Sequence, residues 1–275
     1  FNDDTISALD IGWKAVACNV SDLISSGCSK IIGVNIGLVV PSKTDWLWIK
    51  DLYTGINLAL DYFGGLILGG DCSVGKEKVI SMTALGKQGE IKLRRNSCKP
   101  NEIILTTGIH GLSKLGLMIK SKTIFDSDIA LSHSLINSSL QQFCRPKLKP
   151  KFLKKILKTR TNKSIKMIGC TDSSDGLFQA LLDLATESNC KAIIDYAKVP
   201  KHKNWPTGNK WDEYYFFGGE DYELVFSLPR KWANNLLNED KTITEIGYFL
   251  EGDVSVDFKN CDNKNLLKNK SFSHF

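Results

Sequence analysis

Met167-Ile168-Gly169-Cys170-Thr171-Asp172-Ser173-Ser174-Asp175-Gly176-Leu177 is apolar for four residues, small and acidic for six, and then opens a helical pattern over residues 177–188. A short buried strand that hands a small, acidic turn to a helix is an α/β junction, and α/β folds place ligands at such strand ends. The same residues also suit a purely structural role. Asp172 and Asp175 would then cap the helix and favour its first turn through the helix dipole.

The segments around this junction set the class. Downstream, residues 192–195, 222–228 and 243–250 read as strands, with a helix near 229–238. Upstream, Ile103-Ile104-Leu105-Thr106-Thr107 is a strand entering a Gly108-x-x-Gly111 turn, followed by helical patterning to about 121 and again through 142. Further upstream, Ile11, Trp13, Val16, Ala17, Val20, Leu23 and Ile24 recur at helical spacing until Gly27. Residues 31–40 form an apolar strand ending at Pro41, and 43–63 a helix closed by Gly64-Gly65. Leu66-Ile67-Leu68 is a short buried strand running into Gly69-Gly70-Asp71, and 79–85 is another strand. The polar, turn-rich segment 86–102 separates two α+β or α/β parts, 1–100 and 101–275.

Composition narrows the options. With 42% hydrophobic and 24% charged residues, 22 Gly and 7 Pro in 275 residues, the chain is neither disordered nor fibrous. The net charge of +6 is concentrated: ten Lys and Arg and no acid lie between Arg145 and Lys166, leaving 26 basic against 30 acidic residues elsewhere. That stretch has Phe152 as its sole aromatic, and its lysines surround Phe152, Leu153, Ile156 and Leu157. An amphipathic helix with a solvated face is expected there rather than a nucleic-acid surface. Apolar runs such as 31–40 fall short of the roughly 20 residues that span a membrane, so no membrane partner is expected. Eight scattered cysteines without a C-x-x-C pair point to reduced thiols and a cytoplasmic protein without a zinc site.

The motifs themselves are acidic. Gly70-Asp71-Cys72-Ser73-Val74-Gly75-Lys76 has P-loop spacing, but Glu77 stands where a Ser or Thr would hold Mg2+, and a strand rather than a helix follows. What survives is a Gly-Gly-Asp turn at a strand end, its aspartate a turn residue or a metal ligand. Asn19-Val20-Ser21-Asp22 ends an apolar helix, and Phe217-Gly218-Gly219-Glu220-Asp221-Tyr222-Glu223-Leu224 crowds three acids around an aromatic; a surface Asp and an acidic turn would account for these equally. Carboxylates from four regions, with no Ser-His-Asp or Cys-His set, suit hard cations, and hard cations suit phosphate.

Taken in order, Gly12-Trp13-Lys14-Ala15 with Asn19-Val20-Ser21-Asp22, Leu68-Gly69-Gly70-Asp71, Arg95 ahead of Lys99-Pro100, Thr107-Gly108, Asp172 to Leu177, Gly218 to Leu224 and the closing His274-Phe275 resemble the thiamine-monophosphate kinase family. The Ser-Asp-Gly-Leu and Gly-Gly-Asp elements also occur in aminoimidazole ribonucleotide and selenophosphate synthetases, the alternative assignments. The resemblance implies two α/β domains of the aminoimidazole ribonucleotide synthetase-like type, the first carrying ATP and metal and pairing with its twin in a homodimer. It implies transfer of the ATP γ-phosphoryl to thiamine phosphate with Mg2+, with ATP as co-substrate. Asp22, Asp71, Asp172 and Asp175 match metal-binding positions, with Asp71 and Asp175 central to catalysis. Gly70, Asp71, Arg95, Ser174 and Tyr53 match ATP-contacting ones, and Glu220 and Phe272 substrate-contacting ones. It further implies that the family's Gly-Asp-Asp and Thr-Asp ligands and a substrate-contacting His precede Phe1. Ser173, where a hydrophobic residue is usual, and Cys72-Ser73, where a Thr pair is common, are small departures.

Overall fold

The computed structural model describes residues 1–123 and 131–261. The first layer is built from α1 (Ala8–Ser25), β1 (Cys28–Val40), α2 (Trp46–Phe63), β2 (Leu66–Val74) and β3 (Val79–Gln88). β1 is central, parallel to β2 and antiparallel to β3. Ser7 and Asp45 cap the two helices, each side chain accepting from a backbone N–H of the first turn. The helices cross closely because Gly12 faces the Leu52 carbonyl and Gly55 faces that of Leu9, where any Cβ would collide. Val16, Val20, Leu52 and Ile56 pack with Val34, Ile36 and Leu38 of β1 in one core.

The second sheet has seven strands in the order β10-β7-β9-β5-β8-β6-β4: β4 (Lys92–Arg94), β5 (Ile103–Thr107), β6 (Met167–Asp172), β7 (Lys191–Asp195), β8 (Leu224–Leu228), β9 (Ile243–Leu250) and β10 (Ser255–Lys259). Its helices are α3 (Leu112–Lys120), α4 (His133–Cys144), α5 (Phe152–Thr159), α6 (Leu177–Glu187), α7 (Asn209–Phe217) and α8 (Arg230–Glu239). Central strands β5 and β8 are buried at every position, which explains why neither alternates apolar and charged residues. No helix among the described residues is long and apolar enough to cross a membrane.

The structure differs from expectation in four places. β2 continues through Gly69-Gly70-Asp71 to Val74, because pairing with β1 overrides the turn preference of those residues, and as an edge strand it is exposed in the single chain rather than buried. β8 begins at Leu224 rather than 222, since Tyr222 has a φ of 53° and cannot extend a strand. β4, α7 and β10 are short elements held by tertiary packing rather than by their own periodicity.

The basic stretch carries the fourth difference. α5 does bury Phe152, Leu153 and Ile156, with Phe152 edge-on to Phe226 at 4.9 Å and Trp232 Nε1 donating to the Ile156 carbonyl at 3.2 Å. Much of its charge, however, is engaged internally. Lys155 pairs with Asp240, Lys158 with Glu239, Arg160 and Lys166 with Glu90, Lys149 with Glu223 and Arg145 with Asp10. Trp13 Nε1 donates to the Pro146 carbonyl at 3.0 Å, so the segment straps the first layer to the second.

Candidate active site between two layers

One stripe of α1 builds the site. Lys14, Cys18 and Ser21 stand at i, i+4 and i+7, the spacing of a single helix face, and each reaches a different residue of the second layer. Lys14 Nζ lies 2.8 Å from Glu220 Oε2, Cys18 Sγ lies 2.7 Å from the Tyr222 hydroxyl, and Ser21 Oγ donates to Asp172 Oδ2. The helix therefore closes onto two loops, 172–176 and 218–223.

These loops are locked to each other. The Glu220 N–H donates to the Ser174 carbonyl at 2.7 Å and the Ser173 N–H to that of Glu223 at 2.8 Å; Gly219 lies against Ser174 with no space for a Cβ. Glu220 and Tyr222 both hold left-handed backbone, φ 67° and 53°, a strained conformation that over-determined packing maintains at functional sites. Asp221 is buried and accepts from the backbone N–H groups of Gly111 and Ser113, serving the start of α3. Glu223 is buried, accepts from Thr107 Oγ1 at 2.5 Å and faces Lys149 at 3.7 Å.

Around Asp172 gather Ser21, Ser174 Oγ at 3.2 Å, Asp22 and Arg95. The Asp22 carboxyl is raised above its ordinary pKa by surrounding protein atoms and then by the Asp172 charge, with Arg95 opposing. Arg95 Nε donates to Thr171 Oγ1 at 3.1 Å and its Nη1 lies 3.4 Å from Asp183. Asp175 is half-buried beside Gly219. Gly70 and Asp71 sit on exposed β2, where Gly70 touches the Ile36 carbonyl and Ser73 Oγ donates to Asp71 at 2.8 Å. Tyr53 on α2 points its hydroxyl to Cys72 at 3.7 Å, and burial pushes it up to about 12. The structure thus joins Asp172, Ser174, Arg95 and Glu220 through a short chain of contacts, with Asp22 near enough to feel the charges of Asp172 and Arg95, and sets Asp71, Gly70 and Tyr53 on the first layer. Phe272 lies outside the described residues.

A cleft of about 230 Å3 opens beside the α1 stripe, lined by Phe1, Ile6, Ile11, Ile80 and Met82 together with Lys14, Cys18, Asn19 and Glu220. It is apolar along one side and carries one cation and one carboxylate on the other.

The models of AIR synthase related protein match this chain, the N-terminal domain over residues 1–88 and the C-terminal domain over 99–259. A thiamine-monophosphate kinase of Prochlorococcus marinus is 39% identical over the whole chain, which covers 83% of that protein. The chain belongs to the thiamine-monophosphate kinase family. The Bacillus subtilis thiamine-monophosphate kinase is 32% identical over 97% of the chain and 81% of its own length. Among solved structures, that of AaThiL complexed with AMPPCP and TMP superposes with a TM-score of 0.77 at 25% identity, covering 95% of this chain and 81% of that one.

For a member of this family the donor set matters. Among the described residues no group of three or more His, Cys, Asp or Glu is gathered for a metal. The Asp22–Asp172 pair nevertheless fits a hard cation. Both offer oxygen, and a bound divalent ion would favour the charged form of Asp22 against the burial and the Asp172 charge that raise it.

The most telling missed residue is Lys14. A lysine on the apolar stripe of a helix was the available signal, and its partner could not be read from the chain order. Cys18 and Tyr222 were missed for the same reason.

Asp221 gives a pH signature. Burial pushes its carboxyl up to about 8, against the two backbone donors that lower it. The folded state then holds a proton that the unfolded chain releases near 3.8, so stability is lost as pH rises through this window. In urea titrations from pH 5 to 8, the wild type should lose stability by up to about 1.4 kcal/mol per pH unit, and Asp221→Asn should flatten that slope. Parallel slopes would contradict the assignment.

Proposed function

We propose that this chain transfers the γ-phosphoryl group of ATP to the phosphate of thiamine phosphate, giving thiamine diphosphate and ADP, by direct in-line displacement. The observation that carries the proposal is the 2.7 Å hydrogen bond from Glu220 N–H to the Ser174 carbonyl. It fixes the backbone of the residue that carries the acceptor cleft's carboxylate beside the Asp172–Asp175 loop, the candidate ATP and metal loop. Family membership and the likeness to a complex with AMPPCP and TMP support both substrates.

The acceptor shapes the chemistry. A phosphate monoester has a second pKa near 6, so it is largely a dianion at neutral pH and needs no general base. The protein's task is to align two polyanions and neutralise them. Arg95, anchored by Thr171 and Asp183, has further N–H groups to offer a phosphate. Ser174 offers ATP a hydroxyl, and Gly70 on β2, with Tyr53 on the same layer, would contact it from the first layer. Glu220 faces the cationic heterocycle, and an aromatic at Phe272 would stack on it. Mg2+ held by Asp22, Asp71, Asp172 and Asp175 would supply the remaining charge neutralisation.

We assign residues 1–100 to an amino-terminal ATP- and metal-binding domain and 101–275 to a carboxyl-terminal α/β domain that brings the 172–176 and 218–223 loops to the site, in a cytoplasmic enzyme. The protein incubated with Mg-ATP should convert thiamine phosphate into thiamine diphosphate with one ADP per turnover. Phosphorylation of free thiamine instead, or no product, would overturn the proposal.

A second copy of the chain completes the reading. β2 is exposed along its whole length in the single chain, with Leu66 70% and Val74 75% exposed and Leu68 open on the same strand. An apolar edge strand left open invites aggregation unless something covers it, and a twin sheet would do so. Light scattering should give twice the 30.6 kDa chain mass, and Leu68→Asp with Val74→Asp should halve it. A monomeric wild type would contradict the dimer.

A further inference from the structure

We propose that Lys14 is a positioning residue: its ammonium orients the Glu220 carboxylate and thereby sets the affinity for the cationic ring of the acceptor. The inference rests on the thiamine phosphate reading above. Lys14 lies on the inward stripe of α1 with its side chain 13% exposed, and it is the sole cation among the residues lining the cleft. Removing an ammonium from water is costly without a partner. It has two: Glu220 Oε2 at 2.8 Å and the Phe143 ring, whose centroid lies 4.2 Å from Nζ.

Stability alone is a poor reason for this pair. Glu220 is 46% exposed, and ion pairs so open to solvent contribute little to folding. Direction is the better reason. The Glu220 backbone is pinned by Ser174 and held at φ 67°, but its side chain would still rotate into solvent. Lys14, 206 residues earlier in the chain, fixes one carboxylate oxygen over the cleft and leaves the other to its occupant. Restricting a flexible binding group before the ligand arrives reduces the ordering penalty of binding.

The proposal separates the two substrates. In the wild type, Lys14→Met, Lys14→Arg, Glu220→Gln and the Lys14→Met/Glu220→Gln double variant, KM is measured for thiamine phosphate and for ATP. The Kd of thiamine phosphate without ATP is measured by calorimetry. Lys14→Met should weaken thiamine phosphate about tenfold in both KM and Kd while shifting the KM of ATP less than about twofold. Lys14→Arg should restore affinity to within about threefold, and the double variant should bind no worse than Glu220→Gln, because the two act as one unit. If Lys14→Met does not fold, Lys14→Gln, which keeps a donor without the charge, carries the same comparison.

An unchanged affinity for thiamine phosphate, an equal rise in the KM of ATP, or additive losses in the double variant would overturn the role. A wild type that makes no thiamine diphosphate would overturn the proposed function and this inference with it. An active wild type matched by Lys14→Met overturns the positioning role alone.

Discussion

Asp71→Asn and Asp175→Asn should each lower kcat by about 100- to 1,000-fold, the range seen when a group that stabilises transition-state charge is removed, while melting temperatures stay close to that of the wild type. The separation follows from where the two residues sit. Asp71 is exposed on β2, with one hydrogen bond from Ser73, and Asp175 is half-buried in the 172–176 loop. Neither supports the core, so the amide is expected to spare the fold. Asp172 is a less clean probe: it is 4% exposed and holds the hydroxyls of Ser21 and Ser174, so its replacement would loosen the seam between the layers as well. Steady-state turnover and thermal melts of the two variants check this. Unchanged turnover in both would remove these residues from the site.

Gly219→Ala should cost about 100-fold in kcat/KM, a loss typical of displacing a reacting group by about an ångström. A Cβ at Gly219 would fall inside van der Waals contact of the Ser174 carbonyl and at 3.4 Å from the Asp175 Cα. The neighbour is backbone, which cannot rotate away. Either the 172–176 loop moves from the site or the Glu220 N–H loses its bond to Ser174. Gly218 provides the contrast. Its Cβ would meet the Tyr214 carbonyl and the Lys114 Cβ, on α7 and α3 rather than on the 172–176 loop, so its alanine variant should reduce stability more than it changes substrate handling. Thermal melts and kcat/KM for both variants test the difference. Equal activity losses would show that the loops move as a rigid body.

Much of this site was legible along the chain, for a simple reason. Asp172 and Asp175 sit at a strand-to-helix junction, and strand and helix periods are local properties. Glycine-flanked acids at strand ends are likewise visible without neighbours. What escaped was what depends on contact between residues far apart in the chain, from Arg160 and Glu90, 70 residues apart, to Lys14 and Glu220, 206 apart. Glu220-Asp221-Tyr222-Glu223 reads as one acidic run, yet the four side chains go to α1, the start of α3, α1 again, and Thr107 with Lys149. The Lys- and Arg-rich stretch shows the same limit. Its helix and apolar face follow from spacing, but its acidic partners at 10, 90, 223, 239 and 240 are supplied by the fold. α7 escaped because Trp211, Tyr214, Tyr215, Phe216 and Phe217 crowd nine residues with aromatics, which favour strands locally.

Direct transfer between two bound phosphates is the central claim, and a single-turnover experiment with γ-labelled ATP tests it most directly. With thiamine phosphate present, the label should appear only in the terminal phosphate of thiamine diphosphate, with none on the protein at any time point. Label trapped on the protein, or released as inorganic phosphate while thiamine phosphate stays unchanged, would contradict it.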